Sequence, residues 1–421
     1  MVPEVHPEFS NNPSRLGALA FRDFRFYWVH GLLQGIARNM RELLTFYLVF
    51  EISGSALQLG ITGVFQGVPI LIFGLLGGAM ADSFDRKRLL IYTQLANVLF
   101  LGIIAILVFS DTIMVWHLWV LASLASAVNA LGRPAQRAYL PRMVPRAHVM
   151  NAITWFGALS QGTLFVGPML AAILIASVGV GWAFTSNAII LLCGAFATLA
   201  IRASGAQEGT PPMVSLKSIW EGVQFLRTKE VLFGSYLLDF CVMSFGFFLP
   251  LMPVLAVDVY QVGEIGLGLL TAAPAVGSIM ASGILLVVGD IRRKGAAVVL
   301  SYVGYAVGLI ALGFSPWFWM ALLVLVILGL MDVVSFTVRQ ALIQLVAPDK
   351  YRGRAGSFST ILAGVGNSTG SAEMGALAGV IGAPFALVIN GIIGLAITGS
   401  AAAKWPGLWL YDEDKESHGM D

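Results

Sequence analysis

Twelve apolar segments, each about as long as a bilayer-spanning helix, recur along this 421-residue chain. A helix needs about 20 predominantly apolar residues to cross the hydrocarbon core of a membrane. Apolar residues make up 57% of the chain and charged residues 11%, whereas roughly a quarter of the residues in a soluble domain are charged. The sequence therefore predicts an all-α integral membrane protein in the lipid bilayer, with no nucleic-acid partner.

The predicted spans form two sets of six, separated by a polar segment. The first six cover residues 24–50, 56–81, 88–109, 114–138, 149–177 and 181–201. The second six cover residues 231–257, 266–289, 296–314, 317–340, 354–379 and 382–403. These limits predict an N-terminal segment, a six-helix bundle, a linker, a second bundle and a tail at 1–23, 24–201, 202–230, 231–403 and 404–421. The linker has apolar residues at helical spacing, which predict an amphipathic helix on the membrane surface or, equally, a plain linker helix.

The basic residues are distributed unevenly across this plan. Of the 25 Lys and Arg residues, all but Arg38 and Arg41 lie at or near one side of the predicted bundle. They occupy the N-terminal segment, the even-numbered connections with the adjoining helix ends, and the tail. The odd-numbered connections contain none. Because Lys and Arg are retained on the cytoplasmic side, we expect a multi-pass protein of a bacterial-type inner membrane with both termini in the cytoplasm.

The two halves repeat weakly at a spacing of about 206 residues. Asp82 with its basic run is echoed by Asp290, and Pro69 is echoed by Pro274. Arg133 at the end of span four is echoed by Arg339 at the end of span ten. A duplicated six-helix unit is typical of transporters that bind their substrate between the halves, near the middle of the membrane. We therefore expect two pseudo-symmetric six-helix bundles.

The connection between spans two and three reads GGAMADSFDRKRLL at 77–90. It resembles the signature of the major facilitator superfamily, a glycine and an aspartate followed by a short basic run. The resemblance implies that Asp82 locks a cytoplasmic gate, with Arg86 in the basic run and with Arg133 or Arg137 as its partner. Ser83 and Asp85 depart from the usual Arg and Gly. The alternative is a solvated loop held by charge alone.

Span five contains GTLFVGPMLAA at 162–172, which resembles the antiporter signature of the same superfamily. Gly167 and Pro168 match that signature, whereas Ala171 and Ala172 replace its paired glycines. Proline removes a backbone hydrogen bond and bends a helix. Superfamily members with this signature are mostly exporters, so the resemblance implies export. An ordinary packing kink is the alternative.

Further segments resemble one branch of the superfamily, the enterobactin-exporter-like and macrolide-efflux-like permeases. They are FYLVFEISGSALQLG at 46–60, RPAQRAYLPRMVP at 133–145 and VRQALIQLVAPDKYRGRAG at 338–356. The resemblance covers roughly residues 20–405. It implies the fold and topology of the superfamily but says little about cargo, because one fold hosts many functions.

Span one contains a polar stripe made of Gln34, Arg38, Arg41 and Glu42. Arg38 lies about 20 Å along the helix from Arg25, well past the membrane interface. A charged side chain near the bilayer centre costs roughly 3 kcal/mol or more, so it usually faces a cavity or a partner. We therefore expect the stripe to line a central cavity and to bind substrate or take part in proton coupling. A self-satisfied pair of Arg38 and Glu42 is the alternative.

The second half contributes acids within its spans. Asp239 lies in span seven and Glu373 in span eleven, and both are candidates for proton coupling. A buried acid can be neutral when it holds a proton and charged when a cation neutralises it, which allows proton entry to drive cargo exit. Asp239 and Glu373 could instead be structural. Asp332, in span ten, is the candidate partner of Arg339, seven residues further on.

These features predict a secondary active transporter that exports an amphipathic or anionic small molecule by alternating access, with H⁺ as the coupling ion. A lysophospholipid or lipid flippase on the same fold is one alternative. A non-transporting receptor or scaffold is another. No phosphate-binding lysine loop, metal-ligand cluster or Ser/His/Asp arrangement is evident in the sequence. We therefore expect no enzymatic activity, no cofactor besides the proton gradient, no metal and a monomeric protein.

Overall fold

The computed structural model of the chain describes residues 17–205, 224, 226–289 and 291–410. For residues 75–83, 349, 350, 352–355, 357, 360 and 410 the description extends to the backbone only. Most of the predicted linker helix and most of the predicted tail lie outside these residues. A short 3-10 turn, Gly17–Ala20, precedes the first long helix.

Twelve long helices follow one another through the described chain. In the first half they are α1 (Arg22–Ser53), α2 (Ala56–Ser83), α3 (Arg86–Phe109), α4 (Val115–Tyr139), α5 (Val149–Val178) and α6 (Val180–Leu199). In the second half they are α7 (Glu230–Gly246), α8 (Gly263–Val288), α9 (Lys294–Gly313), α10 (Phe318–Val346), α11 (Asp349–Ile381) and α12 (Ala383–Lys404). A short helix, α13 (Pro406–Leu410), follows α12. The all-α fold predicted from hydropathy is confirmed.

Among the described residues, ten helical segments are long and apolar enough to cross a membrane by length and composition, and one of them continues from α7 through the turns that follow it to Val259. Helix α1 and the described part of α11 contain no such segment. Helix α1 contains Arg38, Arg41 and Glu42 within its central turns, and α11 is rich in Gly, Ser and Thr. Both are polar where they face the middle of the bundle, as helices that line an aqueous cavity can be.

Helix α7 ends earlier than the predicted span, at Gly246. The chain then continues through the short turns Leu249–Leu251 and Met252–Val254 and the π-helical Leu255–Val259. Pro250 and Pro253 explain the break, because proline lacks the N–H that a continuous helix requires. The residues of the break include Phe247 and Phe248, which line one of the cavities described below.

At one end of the first half, side chains at the start of α3 form hydrogen bonds with backbone groups at helix ends. The Asp85 carboxylate accepts a hydrogen bond from the Arg88 backbone N–H at 2.9 Å and caps α3. The Lys87 ammonium donates to the backbone carbonyls of Leu199 and Ile201 at 3.0 and 2.6 Å, at the end of α6. Cations stabilise helix C-termini, where carbonyls lack partners. The basic run thus joins α3 to α6, and we call this the basic end of the bundle.

The two halves contact each other near the opposite end. Along α2, Gly60 faces Gly375 of α11, and Gly63 and Gly67 face Ser371 and Ser368. A methyl group added at any of these three glycines of α2 would collide with α11. Small residues allow helices in a membrane to approach this closely. Similarly, Gly268 of α8 lies against Ala172 of α5.

Candidate functional site

A central cavity of about 620 Å³ separates the halves and extends toward the basic end. Its first-half wall contains four arginines and Glu42: Arg38 and Arg41 from α1, and Arg133 and Arg137 from α4. Its second-half wall contains Asp239 of α7 and Arg339 of α10, with neutral residues of α10 and α11. The charged side chains on the first-half wall are therefore mostly cationic, whereas those on the second-half wall form a balanced pair.

A polar side pocket of about 140 Å³ opens behind the arginines of the first half. Within it, the Arg41 guanidinium donates to the Asn97 side-chain oxygen at 2.6 Å. Asn97 in turn donates to the backbone carbonyl of Thr93 at 2.7 Å and to Asn129 at 3.3 Å. This chain of amides fixes the orientation of Arg41. An oriented guanidinium loses less rotational freedom when it binds an anion.

Gln34 lies at the same pocket and accepts a hydrogen bond from Gln136 of α4 at 2.8 Å. Arg38 and Glu42, four residues apart on α1, form no ion pair with each other in this structure. Both side chains line the central cavity. The structure thus places the whole predicted stripe of α1 at the cavity or its side pocket, while its role in binding stays a prediction.

Asp239 is bound within its own half. The Arg339 guanidinium contacts its carboxylate at 2.5 Å, and the Tyr302 hydroxyl donates to the other carboxylate oxygen at 2.5 Å. Both charged residues are almost fully buried, at 3% exposed for Asp239 and 5% for Arg339. The sequence-based pairing of Arg339 with Asp332 is wrong. Arg339 pairs with Asp239 because α7 packs against α10 and brings the two groups together.

A second, mostly apolar cavity of about 350 Å³ adjoins the central one, between the halves. Its walls include aromatic and methionine side chains: Phe46, Met243, Phe247, Phe248, Met252 and Phe336. Glu42 and Asp332 also line it, along with the bound pair of Asp239 and Arg339. Such an apolar cavity with a few charged groups is the usual form of a small-molecule site.

Glu373 lies away from these cavities. Its carboxylate accepts a hydrogen bond from the Asn390 amide at 2.7 Å, between α11 and α12. It is not among the residues that line the central cavity, the polar side pocket or the aromatic cavity. The structure thus separates Glu373 from Asp239 and from the stripe of α1.

The predicted gate residues divide between the described and undescribed parts of the chain. The side chain of Asp82 lies outside the described residues. Arg86 donates to the backbone carbonyl of Ala138 at the end of α4, at 3.0 Å. Arg133 and Arg137 line the central cavity. The gate itself therefore stays a prediction.

In α5, Gly167 allows close contact with α1. A methyl group on Gly167 would lie 2.6 Å from the Asn39 side chain and 3.0 Å from the Ile36 carbonyl oxygen. Pro168 lines the aromatic cavity. These two residues place α5 against the stretch of α1 that bears the polar stripe, and helix bending by Pro168 stays a prediction.

Sequence reasoning did not select Asn97 or Tyr302, which position Arg41 and Asp239. Both residues make contacts between helices that are distant in the sequence, and no local sequence pattern predicts such contacts. The capping role of Asp85 did have a signal, because Asp is a preferred N-cap residue before a helix. In the resemblance to the superfamily signature, Asp85 counts only as a departure from the usual Gly.

The known proteins to which this chain is similar are membrane transporters. A profile of the family described as transmembrane secretion effector matches residues 13–417. The YfiS protein of Bacillus subtilis, an MFS-type transporter, is 28% identical over 208 residues, which span 47% of this chain and 46% of YfiS. The enterobactin exporter EntS of Citrobacter koseri is 25% identical over 356 residues, which span 82% of each chain.

A solved structure of a bacterial homolog of the human lysosomal transporter Spinster, inward-facing and unoccupied, is similar in fold. The TM-score is 0.70 at 13% identity, covering 92% of this chain and 98% of that one. The arrangement of α1–α12 is that of a major facilitator transporter. The chain belongs to the transmembrane secretion effector family of that superfamily and is a multi-pass membrane transporter.

Proposed function

We propose that the protein exports an amphipathic or anionic small molecule by alternating access, in exchange for H⁺. The central cavity is the observation that carries this proposal. Arg38, Arg41, Arg133 and Arg137 face it from one half, and the second half neutralises its own arginine with Asp239. The first-half wall therefore has an excess of positive charge, which favours an anionic group on the cargo.

Alternating access is supported by how the halves meet. Their contact between α2 and α11 lies near the end opposite the basic end, while the cavity extends toward the basic end. Lys and Arg concentrate at the basic end, and such residues mark the cytoplasmic side. We propose that this is an inward-facing form of a monomer in the inner membrane, with both termini in the cytoplasm. A terminal fluorescent tag that fluoresces only in the cytoplasm tests the orientation.

The relatives support a proposal about the class of cargo. EntS is an enterobactin exporter, and the cavities of this chain offer arginines and aromatic rings to a cargo. We propose siderophore-like or drug-like aromatic compounds as cargo. The first measurement is the thermal stability of the purified protein with siderophores, hydrophobic drugs and lysophospholipids, because a ligand of the folded state raises its stability.

The compound that stabilises the protein is then tested for transport in proteoliposomes, with and without an imposed pH gradient. We expect gradient-driven transport by the wild type and strongly reduced transport by Arg41→Gln. Transport that proceeds equally well without the gradient would exclude H⁺ antiport. Stabilisation and transport confined to lysophospholipids would replace the export of drugs or siderophores with lipid movement.

A further inference from the structure

The polar side pocket lies entirely within the first half of the protein. The helices that line it are α1, α3, α4, α5 and α6. Its volume is about 140 Å³, whereas pockets for drug-sized ligands begin at roughly 300 Å³. A water molecule occupies about 30 Å³ of liquid water, and a halide ion is of similar size. The pocket can therefore hold one small ion with a few waters, but not a whole cargo molecule.

Three arginines line this pocket without a counter-charge inside it. They are Arg38 and Arg41 of α1 and Arg133 of α4, and none of the described residues that line the pocket is acidic. Arg41 and Arg133 are partly buried, and neither forms an ion pair with a described residue. Glu42 follows Arg41 in α1, but it lines the central and aromatic cavities rather than this pocket. Like charges repel each other more strongly in such surroundings than in bulk water.

The hydrogen bonds of the pocket leave N–H donors in excess. The Asn97 side-chain oxygen accepts from Arg41 at 2.6 Å and from Asn129 at 3.5 Å, so both of its lone pairs are occupied. A guanidinium has several N–H donors in a fixed plane. Among the described residues, the guanidinium of Arg41 donates only to Asn97, and that of Arg133 donates to none. The remaining N–H groups are available to a ligand that accepts hydrogen bonds.

We propose that the polar side pocket is a binding site for one inorganic anion of halide size, and that chloride occupies it. A partly buried cation is unfavourable without a counter-charge. Chloride supplies that charge and accepts N–H groups of Arg41 and Arg133 at the same time. Because chloride carries a single charge, it leaves the arginine wall positive. The ion lies behind the arginines, so their other side remains open to the central cavity.

This site is independent of the proposed export. Every residue that lines it belongs to one half, so a movement of the halves against each other would not take it apart. The bound ion serves as a resident counter-ion between α1 and α4. The stability of the protein should therefore depend on chloride itself, beyond the general effect of ionic strength.

The test measures chloride binding to the purified full-length protein by chloride NMR, because exchange with a protein site broadens the chloride resonance. Gluconate, which is too large for the pocket, replaces chloride at constant ionic strength. The wild type should give an excess line width that chloride saturates and that bromide removes by competition. Chloride should also raise the melting temperature by mass action, whereas gluconate should not.

Arg133→Gln should weaken chloride binding by tenfold or more, and its melting temperature should no longer respond to chloride. In gluconate alone this variant should be at least as stable as the wild type, because an uncompensated charge has been removed. Arg137→Gln is the matched control, since Arg137 lies one turn further along α4 and lines the central cavity but not the side pocket. It should bind chloride with nearly the affinity of the wild type. Arg41→Gln should also lose binding, and it serves if Arg133→Gln does not fold.

Absence of saturable chloride binding to the wild type would overturn the proposal. Equal loss of binding in Arg133→Gln and Arg137→Gln would also overturn it, by placing the anion in the central cavity. Displacement of chloride by sulfate but not by bromide would exclude a halide site. Chloride binding without transport of any compound would refute the proposed function and keep the site. Export by a protein that binds no chloride would refute the site and keep the function.

Discussion

The arginines in the two halves of this transporter have opposite surroundings. In the first half, Arg38 and Arg137 are exposed to the central cavity, and Arg41 is oriented by a neutral amide, Asn97. In the second half, Arg339 is buried and ion-paired with Asp239. An arginine without a counter-charge is available to a ligand, whereas a buried pair holds helices together. We therefore propose that the first half recognises the anion, whereas the buried pair of the second half holds helices together.

The largest effect should come from breaking the buried pair. Arg339→Ala leaves the Asp239 carboxylate buried without its cation, which typically costs about 3–5 kcal/mol. We expect a clearly lower melting temperature for the purified protein. Arg38→Ala removes the same side chain from the open wall and should leave the melting temperature close to that of the wild type. Equal decreases in melting temperature in the two variants would contradict the difference between the two halves.

A smaller effect is expected at Tyr302, which forms a buried cluster with Asp239 and Arg339. Tyr302→Phe removes a hydrogen bond to a charged group, worth about 1.5–3 kcal/mol, while the ion pair remains. Tyr305→Phe is the matched control, because its hydroxyl donates to the neutral carbonyl of Gly246. That bond is worth about 1 kcal/mol. Thermal unfolding of both variants should show the larger decrease for Tyr302→Phe, and the reverse order would argue against a charged Asp239.

In the first half, the expected change is in binding rather than in stability. Asn97→Ala removes the side chain that orients Arg41, at 2.6 Å. We expect the affinity for 2,3-dihydroxybenzoate, a compact aromatic anion, to fall about tenfold, which corresponds to about 1.4 kcal/mol. Calorimetry on the purified protein measures this change. Affinity equal to that of the wild type would show that Arg41 needs no support from Asn97.

The smallest effect is expected at Gln136. Its amide donates to Gln34 at 2.8 Å, and both residues line the polar side pocket. Gln136→Ala removes one neutral hydrogen bond that water in the pocket can replace. We therefore expect a loss of about 0.5 kcal/mol of binding free energy, which is a two- to threefold lower affinity for the anion. The same calorimetric titration applies. A loss larger than that of Asn97→Ala would place the main anion contact nearer to Gln34 than to Arg41.

Hydropathy and charge were sufficient to predict the helical fold, because both patterns are local in the sequence. The break after Gly246 was missed, although Pro250 and Pro253 lie inside the predicted span. The apolar content of this segment predicts a span, whereas the missing backbone donors of the two prolines interrupt its helix. A sequence predicts that a span crosses the membrane more reliably than it predicts that the span stays helical.

The site was predictable in part for a similar reason. The polar stripe of α1 lies at helical spacing, so Arg38 and Glu42 could be placed on one face and directed at a cavity. The partner of Arg339 depends on how α7 packs against α10, and no spacing within one helix contains that information. The sequence suggested Asp332, on the same helix, whereas the fold supplies Asp239 from another.

The contact between α2 and α11 has a consequence for how the halves separate. At Gly60, Gly63 and Gly67 the contact consists of glycine and serine against glycine, with no charged side chain among these residues. Separation of these residues by itself moves no charged side chain of the contact through the membrane's electric field. We therefore expect the voltage across the membrane to exert little direct force on this contact, and ionic strength to have little influence on it.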